Sequence, residues 1–546
     1  MKGRSGVVAG LLLGGSVLLT ACGGRAAPSV PAPVAPKPAA DSATAPADSS
    51  VDTRFEFVIL QANDVYEISP LDGGRIGGLA RVAAVLRNLE QHNPNTIAIL
   101  AGDFVNPSLL SGLSRMVDGQ PVRIAGEQMV ALMNATGFDY VVFGNHEFDI
   151  SEQALLYRIA ESQFAYVSAN VRHNVAGGTQ PFKQRGEPIP DYRVHTFTRP
   201  DGAQLRLGLI GLTLPFNRRE HVAYEDLATA AKRAYAAAAN ESDLVLALTH
   251  LNIDQDRALA RQLPELPLIL GGHDHINMYV TEGTTKIAKA DANARTVYLH
   301  WITHDTADHS TEVWSQLLPI TDDLPEDPEV QKVVAGWEQT TEELIGSLGY
   351  AANSQVAELS ELFDGREASV RSRQTNLGQS IACAMRAADT AGSELAFLNG
   401  GSIRVDDQLF GQVQQRDVLR TLPFGGPIVH GRIRGAVLAR ALDAGLGTNI
   451  GDGGYLQVTP NVVATADGYT IDGTPLDTER EYSITLPDFL SKGLEDNLGF
   501  LGDEASYEAL DDLRGVDGST RNDVRDVWML YLLSGAPCEP TAPGTG

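Results

Sequence analysis

The sequence predicts an α/β fold in two domains, and three observations carry that prediction. The chain has 546 residues, more than one ordinary hydrophobic core accommodates. Residues 54 to about 318 alternate apolar, β-branched runs with helical stretches, the pattern of strands layered against helices. Five of the apolar runs end, in order, in side chains that bind metal ions.

Taken in chain order, the first segment is not part of the fold. Lys2 and Arg4 precede an apolar run from Val7 to Leu19, shorter than the roughly 20 residues a membrane-spanning helix needs. Leu19-Thr20-Ala21-Cys22 resembles a bacterial lipobox, in which Cys22 becomes the lipidated first residue; residues 1–22 are the signal peptide with that Cys. The chain is expected to be exported, its body periplasmic or extracellular and held at a cell-envelope membrane by lipid. Residues 23–53 are rich in Pro, Ala and Ser, bury too little to fold and read as a disordered tether. The net charge of −27 argues against nucleic-acid binding, so an anionic substrate must be held by local cations and metals. Oligomeric state is not legible here.

In the first domain, 54–320, Phe57-Val58-Ile59-Leu60 leads to Asn63-Asp64, and Thr96 to Leu100 leads to Gly102-Asp103. Tyr140 to Phe143 breaks at Gly144 into Asn145-His146. Leu244 to Leu248 ends in Thr249-His250, and Leu266 to Leu270 ends in Gly271-Gly272-His273-Asp274-His275. Helical stretches fall between at Leu79 to Leu89, Glu127 to Ala135, Glu152 to Glu161 and Asp226 to Asn240. Ligands bind at the carboxyl ends of strands in open α/β sheets, so these groups converge on one site. Asp64, Asp103, Asn145, His250, His273 and His275 suffice for two divalent cations, with Asp103 as the bridge. Any one of them alone is explained by a helix cap or a core histidine; the set is not. Asp149 lies three residues after His146, on the same helical face, where its carboxylate fixes one imidazole tautomer and raises its pKa for proton donation.

Residues 321–349 hold an acidic, Pro-containing connector and an amphipathic run from Val330 to Ile345, read as a hinge and linker helix. The second domain, 350–538, is mixed α and β, with helices near Leu377 to Thr390 and Ile433 to Leu446. Cys383 and Cys538 either pair in an oxidising compartment or remain free.

The motifs AGDF at 101–104, GNHEFD at 144–149, TH at 249–250 and GGHDH at 271–275 resemble those of calcineurin-type metallophosphoesterases, specifically the two-domain 5′-nucleotidase family. Thr375 to Gly378, Asn399 to Arg404 and Leu422 to Gly426 are similar to that family's C-terminal domain. The resemblance implies a four-layer α/β/β/α sandwich followed by a smaller mixed α+β substrate-binding domain, with domain rotation or closure during turnover. It implies a dimetal phosphohydrolase that releases phosphate from nucleotides by attack of metal-activated water, with Mn, Zn or Mg as the ions. His146 would protonate the leaving oxygen and Asp149 would orient it. Two cations about 3.5 to 4 Å apart clamp a phosphate and stabilise charge during in-line attack.

One position departs from the family pattern. The family begins its first site with Asp-x-His, and this sequence reads Asn63-Asp64-Val65-Tyr66-Glu67, with Tyr66 in place of His. A phenol with a pKa of about 10 is a poor ligand unless the cation deprotonates it. Tyr66 is a tyrosinate ligand favouring iron, or Glu67 takes over, or the first metal is weakly held; a dimetal site with one altered ligand is expected. The resemblance also carries phosphate or ribose contacts to Arg371, Asn399 and Arg404, and base stacking to Phe424, with Phe500 in an altered loop as the second ring. Two alternatives accompany this reading. One is the same hydrolytic core acting on a nucleotide sugar, cyclic nucleotide or sulfur compound; the other is a non-catalytic nucleotide-binding surface lipoprotein.

Overall fold

The computed structural model describes residues 52–216 and 219–538. The signal peptide, the lipobox Cys22 and all but the last two residues of the tether lie outside the described residues. Among the described residues, no helix is long and apolar enough to cross a membrane.

Two six-stranded sheets pack face to face. The first runs, in spatial order, Thr311–Pro319, Thr296–Asp305, Arg54–Ala62, Thr96–Leu100, Tyr140–Val141 and Ala165–Tyr166. The second runs Tyr192–Thr198, Gln204–Thr213, Leu244–His250, Leu268–Gly271, Thr285–Lys289 and Met278–Glu282. Strand alternation builds the layers. Phe57 and Ile59 enter the core between the sheets with Leu244, Leu246 and Leu248, whereas Val58, Leu60 and Ala62 face helices outside the first sheet. Val245 and Ala247 face helices outside the second. Strands buried on both faces read as continuous apolar runs, which is why these five were legible.

Leu79–His92 and Glu127–Thr136 cover the first sheet; Leu227–Ala239 and Ile253–Gln262 cover the second. The second pair is firmly started. Asp226 accepts from Thr229 N at 2.9 Å, and Asn252 and Gln255 form a capping box. Ala230, Ala231, Ala234 and Ala238 let their helix lie close on the sheet.

The two sheets are also tied by polar contacts. Gln61 Nε2 donates to Gly271 O and Ala288 O, both at 2.9 Å, leaving Gln61 Oε1 to accept from His300 Nε2 at 2.9 Å. His300 is therefore the neutral Nε2–H tautomer, its Nδ1 accepting from Ser315 Oγ at 2.8 Å.

A 20-residue helix, Pro328–Ser347, capped by Asp327, leads into a five-stranded sheet ordered Leu456–Val458, Leu395–Asn399, Glu481–Pro487, Ile428–Arg434 and Ala505–Ala509. Helix Asn376–Ala388, capped by Thr375, packs on Val524–Ser534, whose buried Trp528 donates to Ser380 Oγ at 3.0 Å. Cys383 and Cys538 are disulfide-bonded, which settles the alternative left open by the sequence.

Two elements differ from the sequence reading. Ile433 lies in a strand, Ile428–Arg434, rather than opening a helix; the helix begins at Gly435. The strand before Asn145 is only Tyr140–Val141. Gly144 must leave the ladder to lie against Asp103, and a Cβ at Gly144 would collide with that carboxylate.

Candidate active site

The strand ends converge as sharply bent backbone. Asp64, Asp103 and His273 have φ of 52°, 58° and 78°, the left-handed region in which a side chain costs about 1–3 kcal/mol and persists only where surroundings impose it. Glu147 imposes one of these bends. Its buried carboxylate accepts from Asp103 N at 3.0 Å, Phe104 N at 2.8 Å and Gly144 N, joining two strand-end loops. Burial, with the Asp103 charge beside it, pushes Glu147 up to about 7 against the opposing pull of those amides.

Asp64, Asp103 and His250 are buried, with donor atoms within 4.8 Å of one another. His250 Nε2 lies 3.2 Å from Asp103 Oδ2 and 3.9 Å from Asp64 Oδ1, while its Nδ1 bonds Ala101 O at 2.7 Å. His275 Nε2 is 3.6 Å from Asp64 Oδ1. Burial alone would lower both imidazoles, but the facing carboxylates push His250 up to about 9 and His275 up to about 10. His273 faces His250 with ring centroids 5.3 Å apart; burial and the neighbouring His250 charge push it down to about 3.

This group fits a divalent cation. Asp64 Oδ1 and His250 Nε2 are buried without a hydrogen bond among the described residues, a costly state for two such atoms unless an ion engages them. Second contacts fix the rest. Asp64 Oδ2 accepts from Asn63 Nδ2 at 2.8 Å and His273 N at 2.9 Å, and Asp103 Oδ1 accepts from His146 N at 2.8 Å. The carboxylate and imidazole donors suit Zn, Mn, Mg or Fe.

The short turn His146–Asp149 brings its ends together, with His146 Nδ1 2.6 Å from Asp149 Oδ2. Asn106 Nδ2 donates to the same oxygen at 2.9 Å. Burial alone would raise Asp149, but the hydrogen bond and charge of His146 hold it below the usual carboxylate range. Nε2 of His146 is the ring nitrogen left to meet a ligand.

Tyr66 stays in this cluster. Its hydroxyl donates to Asp103 Oδ2 at 3.0 Å and lies 3.4 Å from His275 Nε2. Burial and the adjacent carboxylates push the phenol well above its ordinary value. Glu67 turns away, to Arg420 at 3.4 Å, on the far side of the loop.

A cavity of about 1240 Å³ opens over the site. Asp103, Asn145, His146, His273 and His275 line it from one side; Arg371, Asn399, Arg404 and Phe424 line it from the other. Arg404 stands 5.7 Å from the centre of the Phe424 ring, which is 53% exposed. Asn399 is engaged by Glu495 Oε2 at 2.6 Å and by Ser402 Oγ at 2.6 Å. Phe500 requires a correction. It packs beneath Arg440, 3.6 Å from ring centre to guanidinium, and against the core of its own domain. The ring that faces the cavity from this region is Phe489, because the chain between 488 and 500 turns Phe500 inward.

Sequence reading missed several groups. Glu147 sits inside a quoted motif, and its position between His146 and Asp149 was the available signal. Lys289, wholly buried, lies beneath the ligand loops: Nζ bonds Leu251 O, Gly272 O, Asp256 and Asp274, the last three at 2.8, 2.8 and 2.6 Å. Glu367, in the cavity wall, bonds Arg371 at 2.9 Å. No sequence pattern marked either.

Residues 57–277 match the calcineurin-like phosphoesterase family, and residues 351–500 match the C-terminal domain of 5′-nucleotidases. The chain is 23% identical over 476 residues to the trifunctional nucleotide phosphoesterase YfkN of Bacillus subtilis, a match that covers 81% of this chain and 31% of that protein. It is 25% identical over 518 residues to a 5′-nucleotidase of Vibrio cholerae, covering 83% of this chain and 88% of that one. A 5′-nucleotidase precursor from Thermus thermophilus has the same fold, with a TM-score of 0.69 and 24% identity over 88% of this chain and 96% of its own.

Proposed function

The chain belongs to the two-domain family that joins a calcineurin-like phosphoesterase domain to a 5′-nucleotidase C-terminal domain, and from that premise we propose that it is an exported hydrolase releasing phosphate from nucleotides. As a member it is a metal-dependent, 5′-nucleotidase-like phosphoesterase. The observation that carries the substrate reading is one cavity with His146 on one wall and Arg371, Arg404 and Phe424 on the other. A nucleotide has complementary parts: a phosphate for the arginines and a base with an apolar face for the ring.

Asp64, Asp103 and His250 would hold divalent metal, with Tyr66, Asn145, His273 and His275 completing two sites. When bound, such ions neutralise phosphoryl charge and activate water. The chain's own contributions are separate. His146, oriented by Asp149, would donate a proton from Nε2 to the departing ester oxygen. Glu147 and Lys289 hold the loops that carry the ligands, and Phe424, with Phe489 opposite, would sandwich the base. Asn399 would reach the sugar after leaving Glu495. The lipobox-like sequence Leu19-Thr20-Ala21-Cys22 supports the reading of a lipid-anchored body outside the cytoplasm.

The test is phosphate release by the purified chain. It would be stripped with chelator and supplied in turn with manganese, zinc, magnesium and iron, against AMP, UDP-glucose, a cyclic nucleotide and an aryl phosphate. Metal-dependent release from a nucleotide is the expected result. Release from the aryl phosphate alone would refute nucleotide recognition, and silence with every metal would refute the hydrolase.

A further inference from the structure

Glu367 stands in the wrong place for a bystander. Its Oε2 is 2.9 Å from Arg371 Nη2, 3.5 Å from Arg404 Nη1 and 3.7 Å from His275 Nδ1, at the meeting point of the two arginines and a candidate metal ligand. It lines the same cavity as Asp103 and His146, and its backbone N is fixed by Asp406 Oδ1 at 2.8 Å. An ordinary structural ion pair would bury its acid behind the arginine; here the acid faces the space a phosphate must enter. The arginines are only partly satisfied by it. Nε of Arg371 and Nε of Arg404 are both buried without a hydrogen bond among the described residues, so the clamp retains donors for an incoming anion while carrying an anion of its own.

We propose that Glu367 is a specificity-determining residue, a built-in anion within the phosphate clamp that weakens the hold on a doubly charged phosphate more than on a singly charged phosphoryl group. The effect is electrostatic and rests on the nucleotide-phosphate reading above. Both substrate types meet the same arginines. The terminal phosphate of a monoester brings one more negative charge to within a few ångströms of Glu367 than a phosphate diester does, in a partly buried site where charges are poorly screened. The guanidinium groups of Arg371 and Arg404, 2.9 and 3.5 Å from its Oε2, favour the carboxylate form, so Glu367 brings a negative charge into the clamp. The consequence is a site whose balance of substrates is shifted toward diesters and internally linked nucleotides relative to one with a neutral side chain at this position.

The experiment is calorimetric titration of the manganese-loaded chain, E367Q and E367D with two probes. Phenylphosphonate carries two charges at alkaline pH, and its monomethyl ester carries one. E367Q keeps the shape and removes the charge; E367D keeps the charge. The expected result is that E367Q tightens phenylphosphonate at least about tenfold more than it tightens the monomethyl ester, with E367D within about threefold of the parent in that ratio. An unchanged ratio in E367Q, or the same shift in E367D, would overturn the proposal, as would failure of the parent and both variants to bind either probe. Because neither arm requires turnover, phosphate release from AMP judges the hydrolase independently. Turnover with an unchanged probe ratio sinks only the role of Glu367.

Discussion

Replacing Lys289 with Met removes the cation on which two ligand loops rest. Lys289 is fully buried and its Nζ has three protons for four oxygens: Leu251 O, Gly272 O, Asp256 Oδ2 and Asp274 Oδ2. Asp274 is 22% exposed in its side chain and can recover water. Asp256 cannot. It is fully buried, and without Lys289 its remaining side-chain donor is the Thr249 hydroxyl at 2.7 Å. Removing one partner of such a pair costs about 3–5 kcal/mol, because the other is left as an uncompensated buried charge. K289M should therefore lose about 3–5 kcal/mol in urea unfolding followed by tryptophan fluorescence, with Trp301 and Trp314 packed 4.6 Å apart on the first sheet as reporters. Adding D256N removes the orphaned charge, so the double variant should recover about 1–3 kcal/mol as a coupling energy. A K289M chain within about 1 kcal/mol of the parent, or a double variant no better than the single, would refute the view that a buried charge network braces the site.

Three further outcomes are expected. His300 is buried neutral and burial pushes it down from 6.5 to about 3, so the unfolded chain takes up its proton first as pH falls. This stability is fully present above 6.5 and declines toward 3, by on the order of 1 kcal/mol per pH unit, and H300Q should flatten that part of a stability–pH profile; an unchanged slope refutes the assignment. H146A should lower kcat about 10²–10⁴-fold with bound metal unchanged by elemental analysis, and near-parental kcat would remove His146 as the proton donor. Y66H should change metal identity or raise occupancy, and identical metal content in both forms would take Tyr66 out of the ligand set.

What was legible in the sequence was what local rules encode. The strand ends could be read because a strand buried on both faces is apolar throughout and stops abruptly at its ligand, as Leu244 to His250 does. The His146 and Asp149 contact followed from a three-residue spacing on one turn. Lys289 was invisible because its partners arrive from other strands and loops, and a lone lysine at a strand end is ordinarily a solvated one. Phe500 was misassigned for a related reason. Ring direction in the loop after Asp488 depends on packing against Leu490, Leu498 and Leu501, which spacing alone does not encode. Glu367 carried no sequence signal, because Arg404, its second arginine neighbour, reaches it only through the fold.

The bond between Cys383 and Cys538 joins an early helix of the second domain to the last described residue of the chain. Nearly all of that domain's substrate-facing chain, from Asn399 through Phe489, is thus contained within one covalent ring. A protease that nicks any exposed turn inside the ring opens it without releasing a piece, so both halves of the cavity wall stay attached. A cut enzyme of this design remains one molecule for as long as its sulfurs stay oxidised.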